Sequence, residues 1–134
     1  MKERAIVLFA HGARDPEWAQ PFRKIQRAVA RKCPGAAVEL AFLESMEPSL
    51  AEAIDKLAKS GRTRITVAPL FMAQGGHLKQ DVPRILDAIR AEHRGVDIEL
   101  LPAIGEVDAI LDAISAWVAG TAAGPLRKRG RASS

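Results

Sequence analysis

Ala5-Ile6-Val7-Leu8-Phe9-Ala10-His11-Gly12 is the stretch whose reading decides the fold. Six apolar residues run without a break and then meet a tight polar turn, His11-Gly12-Ala13-Arg14-Asp15-Pro16. A strand with one face in water alternates apolar and polar residues, whereas a strand covered on both faces is apolar throughout, as in a parallel sheet between helices. Past the turn, Phe22, Ile25, Ala28 and Val29 recur at the spacing of one helix face. Strand, turn and helix are therefore the unit from which the rest of the chain can be read.

The unit recurs three more times. Strands are predicted at Ala37 to Leu43, Arg64 to Leu70 and Asp97 to Leu101. Helical stripes follow them at Leu50, Ile54 and Leu57; at Val82, Ile85, Leu86 and Ile89; and at Val107, Ile110, Leu111, Ile114 and Val118. Pro48 stands at the entrance of the second helix, and Ser49 with Glu52 has the spacing of a capping box. Gly35, Gly61 and Gly95 fall after the first three helices, where a left-handed residue commonly ends a helix. Pro83 requires the third helix to begin shortly before it, since proline is tolerated near a helix amino end. Alternation of this kind specifies an α/β domain with a parallel sheet.

Strand order follows from which strands alternate. Ile6 to Phe9 is continuously apolar and Ile65 to Phe71 nearly so, placing both centrally, while Val38-Glu39-Leu40 and Ile98-Glu99-Leu100 carry charge and suit edges. Right-handed crossovers then give the order 2-1-3-4 in a single three-layer domain over residues 1–119. In such sheets ligands bind beyond the carboxyl ends of the strands, where the chain reverses its direction of progress. Here that point lies between strands 1 and 3.

At 134 residues and 48% apolar content the chain bounds one domain with an ordinary core. A single cysteine, Cys33, excludes an internal disulfide framework, and no opening segment has the make-up of a secretory leader, so a cytoplasmic protein is expected. No apolar run approaches the roughly 20 residues that span a bilayer. The net charge of +4 is carried by Arg127, Lys128, Arg129 and Arg131; without them sixteen bases face sixteen acids. Residues 120–134 hold those bases, lack periodic apolar residues and are predicted to be a disordered basic tail. Nucleic-acid binding through that tail is the lesser reading, because short basic ends are ordinarily solvated surface.

Two of the three histidines follow the two central strands. His11 ends the first, and His77 follows the third in Leu70-Phe71-Met72-Ala73-Gln74-Gly75-Gly76-His77. Imidazole is the commonest protein metal ligand and the side chain whose charge changes nearest neutral pH. Glu44, directly after strand 2 and with Glu47 three residues on, would reach the same rim. Two histidines and a carboxylate suit a first-row divalent ion such as Co2+, Fe2+ or Ni2+, with positions left open. A closed structural zinc site would need four ligands, and Cys33 lies at the other end of the sheet. Gly75 and Gly76 with the helix start behind them, together with Arg14 and Lys79, are the candidates for holding a carboxylate-bearing ligand.

Other residues read as structure. His93 belongs to a helix carboxyl end, Cys33 is a packing thiol and Met72 packs at the rim. Trp18 and Trp117 are core or interface anchors, Trp18 being near enough to His11 to line a planar ligand. Neither G-x-G-x-x-G nor G-K-[ST] occurs, so ATP and NAD are not indicated. A histidine phosphatase is disfavoured because Ala10 stands where arginine would precede the histidine.

Taken together, Leu8 to Pro16, Ala41-Phe42-Leu43-Glu44 through Glu47-Pro48-Ser49, and Pro69 to His77 with Asp81 and Pro83 resemble the class II tetrapyrrole chelatases. The likeness is to the short single-domain sirohydrochlorin chelatases that insert cobalt or iron, and it spans residues 4–118. It implies that His11 and His77 are metal-binding and catalytic, with Glu44 as acidic partner, and that two copies form a symmetric homodimer, since larger relatives carry two such domains. Ala13 departs from the serine frequent after His-Gly in relatives. No cofactor beyond the divalent metal substrate is implied, and no nucleotide. A carrier that binds metal or tetrapyrrole without turnover is the alternative.

Overall fold

The computed structural model of the chain describes residues 3–123. Four parallel strands, β1 (Arg4–Ala10), β2 (Ala37–Phe42), β3 (Arg64–Pro69) and β4 (Asp97–Leu100), alternate with helices α1 (Gln20–Lys32), α2 (Leu50–Lys59), α3 (Gly76–Glu92) and α4 (Asp108–Ala123). Short 3-10 turns precede α1 at Pro16–Ala19 and α4 at Ile104–Glu106. The sheet order is β2-β1-β3-β4, as the alternation of the strands predicts. Register is in step across it: Val7 lies beside Glu39 and Val67, and Val67 beside Leu100.

Strand parity assigns the two faces. Ala5, Val7 and Phe9 of β1, Ala41 of β2, Ile65 and Val67 of β3 and Ile98 of β4 turn toward α2 and α3, where Ile54, Leu57, Val82 and Leu86 close the main core. Ile6, Leu8, Ala10, Val38, Leu40, Phe42 and Ala68 turn the other way, against Ala19, Trp18 and Phe22 around α1. Val7, Ile54, Val67 and Leu86 are wholly excluded from water. Burying a side chain of this size contributes roughly 1.5–3 kcal/mol, so the α2/α3 face dominates the stability of the domain.

Helix ends explain the connections. Ser49 Oγ accepts from the Glu52 amide at 3.1 Å while Glu52 Oε1 accepts from the Ser49 amide at 2.8 Å, the reciprocal capping box that starts α2. Gly61 (φ +96) ends α2, with the Arg62 amide donating to the Leu57 carbonyl and the Gly61 amide to that of Ala58. Gly35 and Gly95 do not play that part. Helices α1 and α3 end at Cys33 (φ −128) and His93 (φ −133), and each leads through a turn closed by Ala36 N–H to Cys33 C=O or Val96 N–H to His93 C=O. The same four-residue turn thus feeds both edge strands.

Three expectations are corrected. Helix α3 begins at Gly76, so Pro83 sits inside it, two turns in, on its exposed side. Helix α4 runs to Ala123, four residues into the segment read as tail; Gly124 onward lies outside the described residues. Trp117 anchors no core, being 72% exposed, because α4 lies against no face of the sheet. The three layers are therefore α1, the sheet, and α2 with α3. Among the described residues no helix is long and apolar enough to cross a membrane.

Candidate metal centre at the carboxyl rim

His11 leaves the end of β1, and the chain immediately reverses at Gly12, whose φ of +97 is the left-handed region that glycine enters without steric cost. A Cβ at Gly12 would also collide with the Glu44 carbonyl oxygen. Glycine is thus required twice over, and the contact shows how closely the two loops approach. Beyond the sheet the pairing of β1 with β2 continues as Leu43 N–H to Ala10 C=O (2.9 Å) and Glu44 N–H to His11 C=O (3.1 Å). Backbone hydrogen bonds therefore fix His11 and Glu44 side by side before their side chains interact.

The side chains meet: His11 Nε2 lies 3.5 Å from Glu44 Oε2, both more than half exposed. Phe71, buried just past β3, stands edge-on to the imidazole with ring centroids 6.2 Å apart and edge-on to Phe9 at 5.4 Å. Phe9, Phe71 and His11 form a stepped stack that holds the imidazole at the rim. Ser45, next to Glu44, has φ 66, an uncommon conformation for a residue with a Cβ. Such outliers collect where a loop is constrained for function.

His77 is placed differently. It is the second residue of α3, whose amino end follows Gly75 (φ −69, ψ 169) with no side-chain cap, and it is exposed. Among the described residues no three histidine, cysteine, aspartate or glutamate side chains come together as a metal-binding group. The expectation of a His11, Glu44 and His77 ligand set within one copy is therefore met only for His11 and Glu44. The reason is the path of the chain: from Met72 to Gly75 it leaves the sheet before α3 begins, carrying His77 out along the rim.

The remaining expected residues distribute along that rim. Arg14 and Lys79 are exposed, Arg14 in the turn after His11 and Lys79 in the first turn of α3. Gly75 and Gly76 are open, with nothing within 4 Å of an added Cβ on either. Trp18 stacks on Phe22 at 4.6 Å and packs with the α1 face, so it is an anchor of that layer. His93, only 17% exposed, lies 3.7 Å from Asp55 and is more enclosed than a surface helix end. Cys33 lies at the opposite end of the sheet.

Sequence reasoning missed Phe71 as the support of His11 and Gly105 as the seat of the Met72 backbone. Phe71 could have been found, because it shares strand parity with Val67 and Pro69 and so points into the main core. Gly105 donates its N–H to Phe71 C=O at 3.2 Å, and a Cβ there would collide with the Met72 carbonyl oxygen. No local pattern marks it.

With this geometry in view, comparison with known proteins is specific. The CbiX family model matches residues 5–120. A sirohydrochlorin cobaltochelatase of Methanopyrus kandleri is 42% identical over 82 residues, 61% of this chain and 57% of that relative; the match thus spans little more than half its length. One from Saccharolobus islandicus is 35% identical over 100 residues, 72% of this chain and 77% of the relative. Among solved structures, a CbiX protein of Marinobacter aquaeolei VT8, assigned to cobalamin (vitamin B12) biosynthesis, superposes with TM-score 0.77 at 34% identity, covering 90% of this chain and 98% of that one. The sirohydrochlorin chelatase SirB of Bacillus subtilis subspecies spizizenii, in complex with cobalt, gives TM-score 0.67 at 25% identity, over 84% of this chain and 48% of that one.

Proposed function

The chain belongs to the CbiX family, and from that premise we propose that it is a sirohydrochlorin chelatase, inserting Co2+ or Fe2+ into the tetrapyrrole without ATP, for cobalamin or siroheme synthesis in the cytoplasm. The observation that carries this reading is the 3.5 Å separation of His11 Nε2 and Glu44 Oε2 at the rim beyond the central strands. With metal–donor distances of about 2.1 Å, two such donors subtend roughly 110° at a shared ion. That angle suits two adjacent positions of a divalent first-row ion and leaves the others open. An open, two-donor hold can be given up, which a metal that is substrate must do.

Insertion exchanges the ion for two pyrrole N–H protons, so the site must take up protons as it releases metal. His11 becomes free to accept one at the moment its Nε2 leaves the ion, and an imidazole works as a base near neutral pH. His77 on its exposed helix end approaches from the substrate side, as a second base and ligand. The ring's carboxylates are met by Arg14, Lys79 and the uncapped amino end of α3 at Gly75 and Gly76, where helix N–H groups and dipole favour anions. Two copies work together as a homodimer, because a single copy matches about half of the longer chelatase fold.

The test is an anaerobic insertion assay with sirohydrochlorin and Co2+, Fe2+ or Ni2+ in turn, followed by absorbance. Catalysed insertion of at least one ion, with initial rates proportional to enzyme, is expected. Binding that saturates at one tetrapyrrole per site with no rate above the protein-free control would overturn the proposal in favour of a carrier.

A further inference from the structure

Helix α4 and one half of the sheet are each left without a partner. From Leu111 to Thr121 every residue of α4 is exposed, including Leu111, Ile114, Trp117 (72%) and Val118 (51%). Across the sheet, α1 covers β1 and β2 but nothing lies over the same face of β3 and β4. Thr66 and Ala68 are only half-buried there and Leu101 is exposed. The result is a groove of about 590 Å³ whose walls include Ile6, Leu8, Val29, Ala68 and Leu101.

In a doubly wound sheet of this order, the helix after β4 belongs beside α1, on this bare half. We propose that α4 fills the groove of a second copy of this chain, so that two copies exchange α4 reciprocally. Each chain then supplies one helix and one groove, the self-complementary pairing of a two-fold dimer. Lengths agree: sixteen helical residues rise about 24 Å, and the seven-residue β1 extends about 23 Å.

The segment between β4 and α4 argues for exchange over folding back. Leu101 N–H donates to Val67 C=O, Gly105 N–H to Phe71 C=O and Glu106 N–H to Ala103 C=O. Ala103 is buried, and Gly105 is seated directly on the Met72 backbone. This connection is bonded along its length and launches α4 away from its own sheet. Covering the groove in cis would require those bonds to be remade, whereas a second copy covers it with the connection as it stands.

The exchange rests on the homodimer proposed above, and the test separates the two. Light scattering of the intact chain is expected to give twice the 14.5 kDa chain mass. Ile114→Asp on the helix and Leu101→Arg in the groove, both at exposed positions, are each expected to yield folded monomers by far-UV circular dichroism. Mixing the two variants is expected to restore the dimer, because one helix and one groove remain intact and the other contact pairs Asp with Arg. A monomeric wild type would overturn both the homodimer and the exchange. A dimer that persists in either variant, or monomers that stay apart on mixing, would overturn the exchange and leave the homodimer standing.

Discussion

Strands β1 and β3 lie side by side and each leads into a loop that carries a histidine, yet the two arms are built in opposite ways. The β1 arm is locked: Gly12 presses against the Glu44 backbone, two amides bridge it to the chain after β2, and Phe71 backs the imidazole. The β3 arm is tied down only as far as Met72 and then runs through exposed residues to His77 on an uncapped helix end. A site whose ligands were all fixed would hold metal well and release it slowly. One fixed pair beside one extended arm suits an ion that must arrive, wait and be handed on.

The largest expected effects test that contrast directly. His11→Ala should lower the insertion rate by about 10²-fold or more, the usual size of a lost acid–base group, and should also weaken the binding of Co2+ measured by calorimetry without tetrapyrrole. His77→Ala should lower insertion to a similar degree while leaving that calorimetric affinity within a few-fold of wild type. Equal losses of free-metal binding in both variants would show that the arms form one site and that the contrast is wrong.

Gly12→Ala comes next. Its cost combines a left-handed backbone, about 1–3 kcal/mol of strain for a non-glycine residue, with the collision against Glu44. Insertion should fall about tenfold with a lowered melting temperature, and the loss should lie in metal affinity, because the His11 to Glu44 spacing is what the added methyl disturbs. Unchanged affinity with a tenfold slower rate would move the role of this contact from the ion to the tetrapyrrole.

How much of this the sequence disclosed depends on the range of the interaction. Strand order was legible because burial on both faces writes continuous apolar runs into β1 and β3, and charge marks β2 and β4. The capping box of α2 was legible because its partners, Ser49 and Glu52, are three residues apart. His11 and Glu44 were legible as a pair once β1 and β2 were neighbours. The distance of His77 from them was not, because it depends on where α3 begins, and Pro83 suggested a later start than Gly76. The separation of α4 was equally hidden: Ile110, Leu111, Ile114 and Val118 make a helix stripe whether it packs on this sheet or another. Periodicity reports that a face is to be covered and is silent about which chain covers it.

A smaller effect is expected where packing, not a ligand, is changed. Phe71→Leu nearly conserves volume and should cost less than about 1.5 kcal/mol of stability, yet it removes the edge contact to His11. Insertion should fall a few-fold with the metal preference unaltered. A rate equal to wild type would show that the Gly12 and Glu44 contacts orient the imidazole unaided, making the locked arm simpler than its three supports suggest.

The smallest effect falls on the link between Glu44 and α2. Ser49→Ala removes half of the capping box and should lower stability by about 1 kcal/mol, read as a drop of a few degrees in melting temperature. Insertion should be unchanged, because Glu44 is held from the β1 side by its own amide bonded to His11 C=O, and Leu43 by Ala10 C=O. Phe42 N–H, bonded to Pro48 C=O, closes the loop independently of the Ser49 hydroxyl. Should insertion nevertheless fall tenfold, Glu44 would owe its position to α2, and the locked arm would depend on a helix start as the His77 arm does.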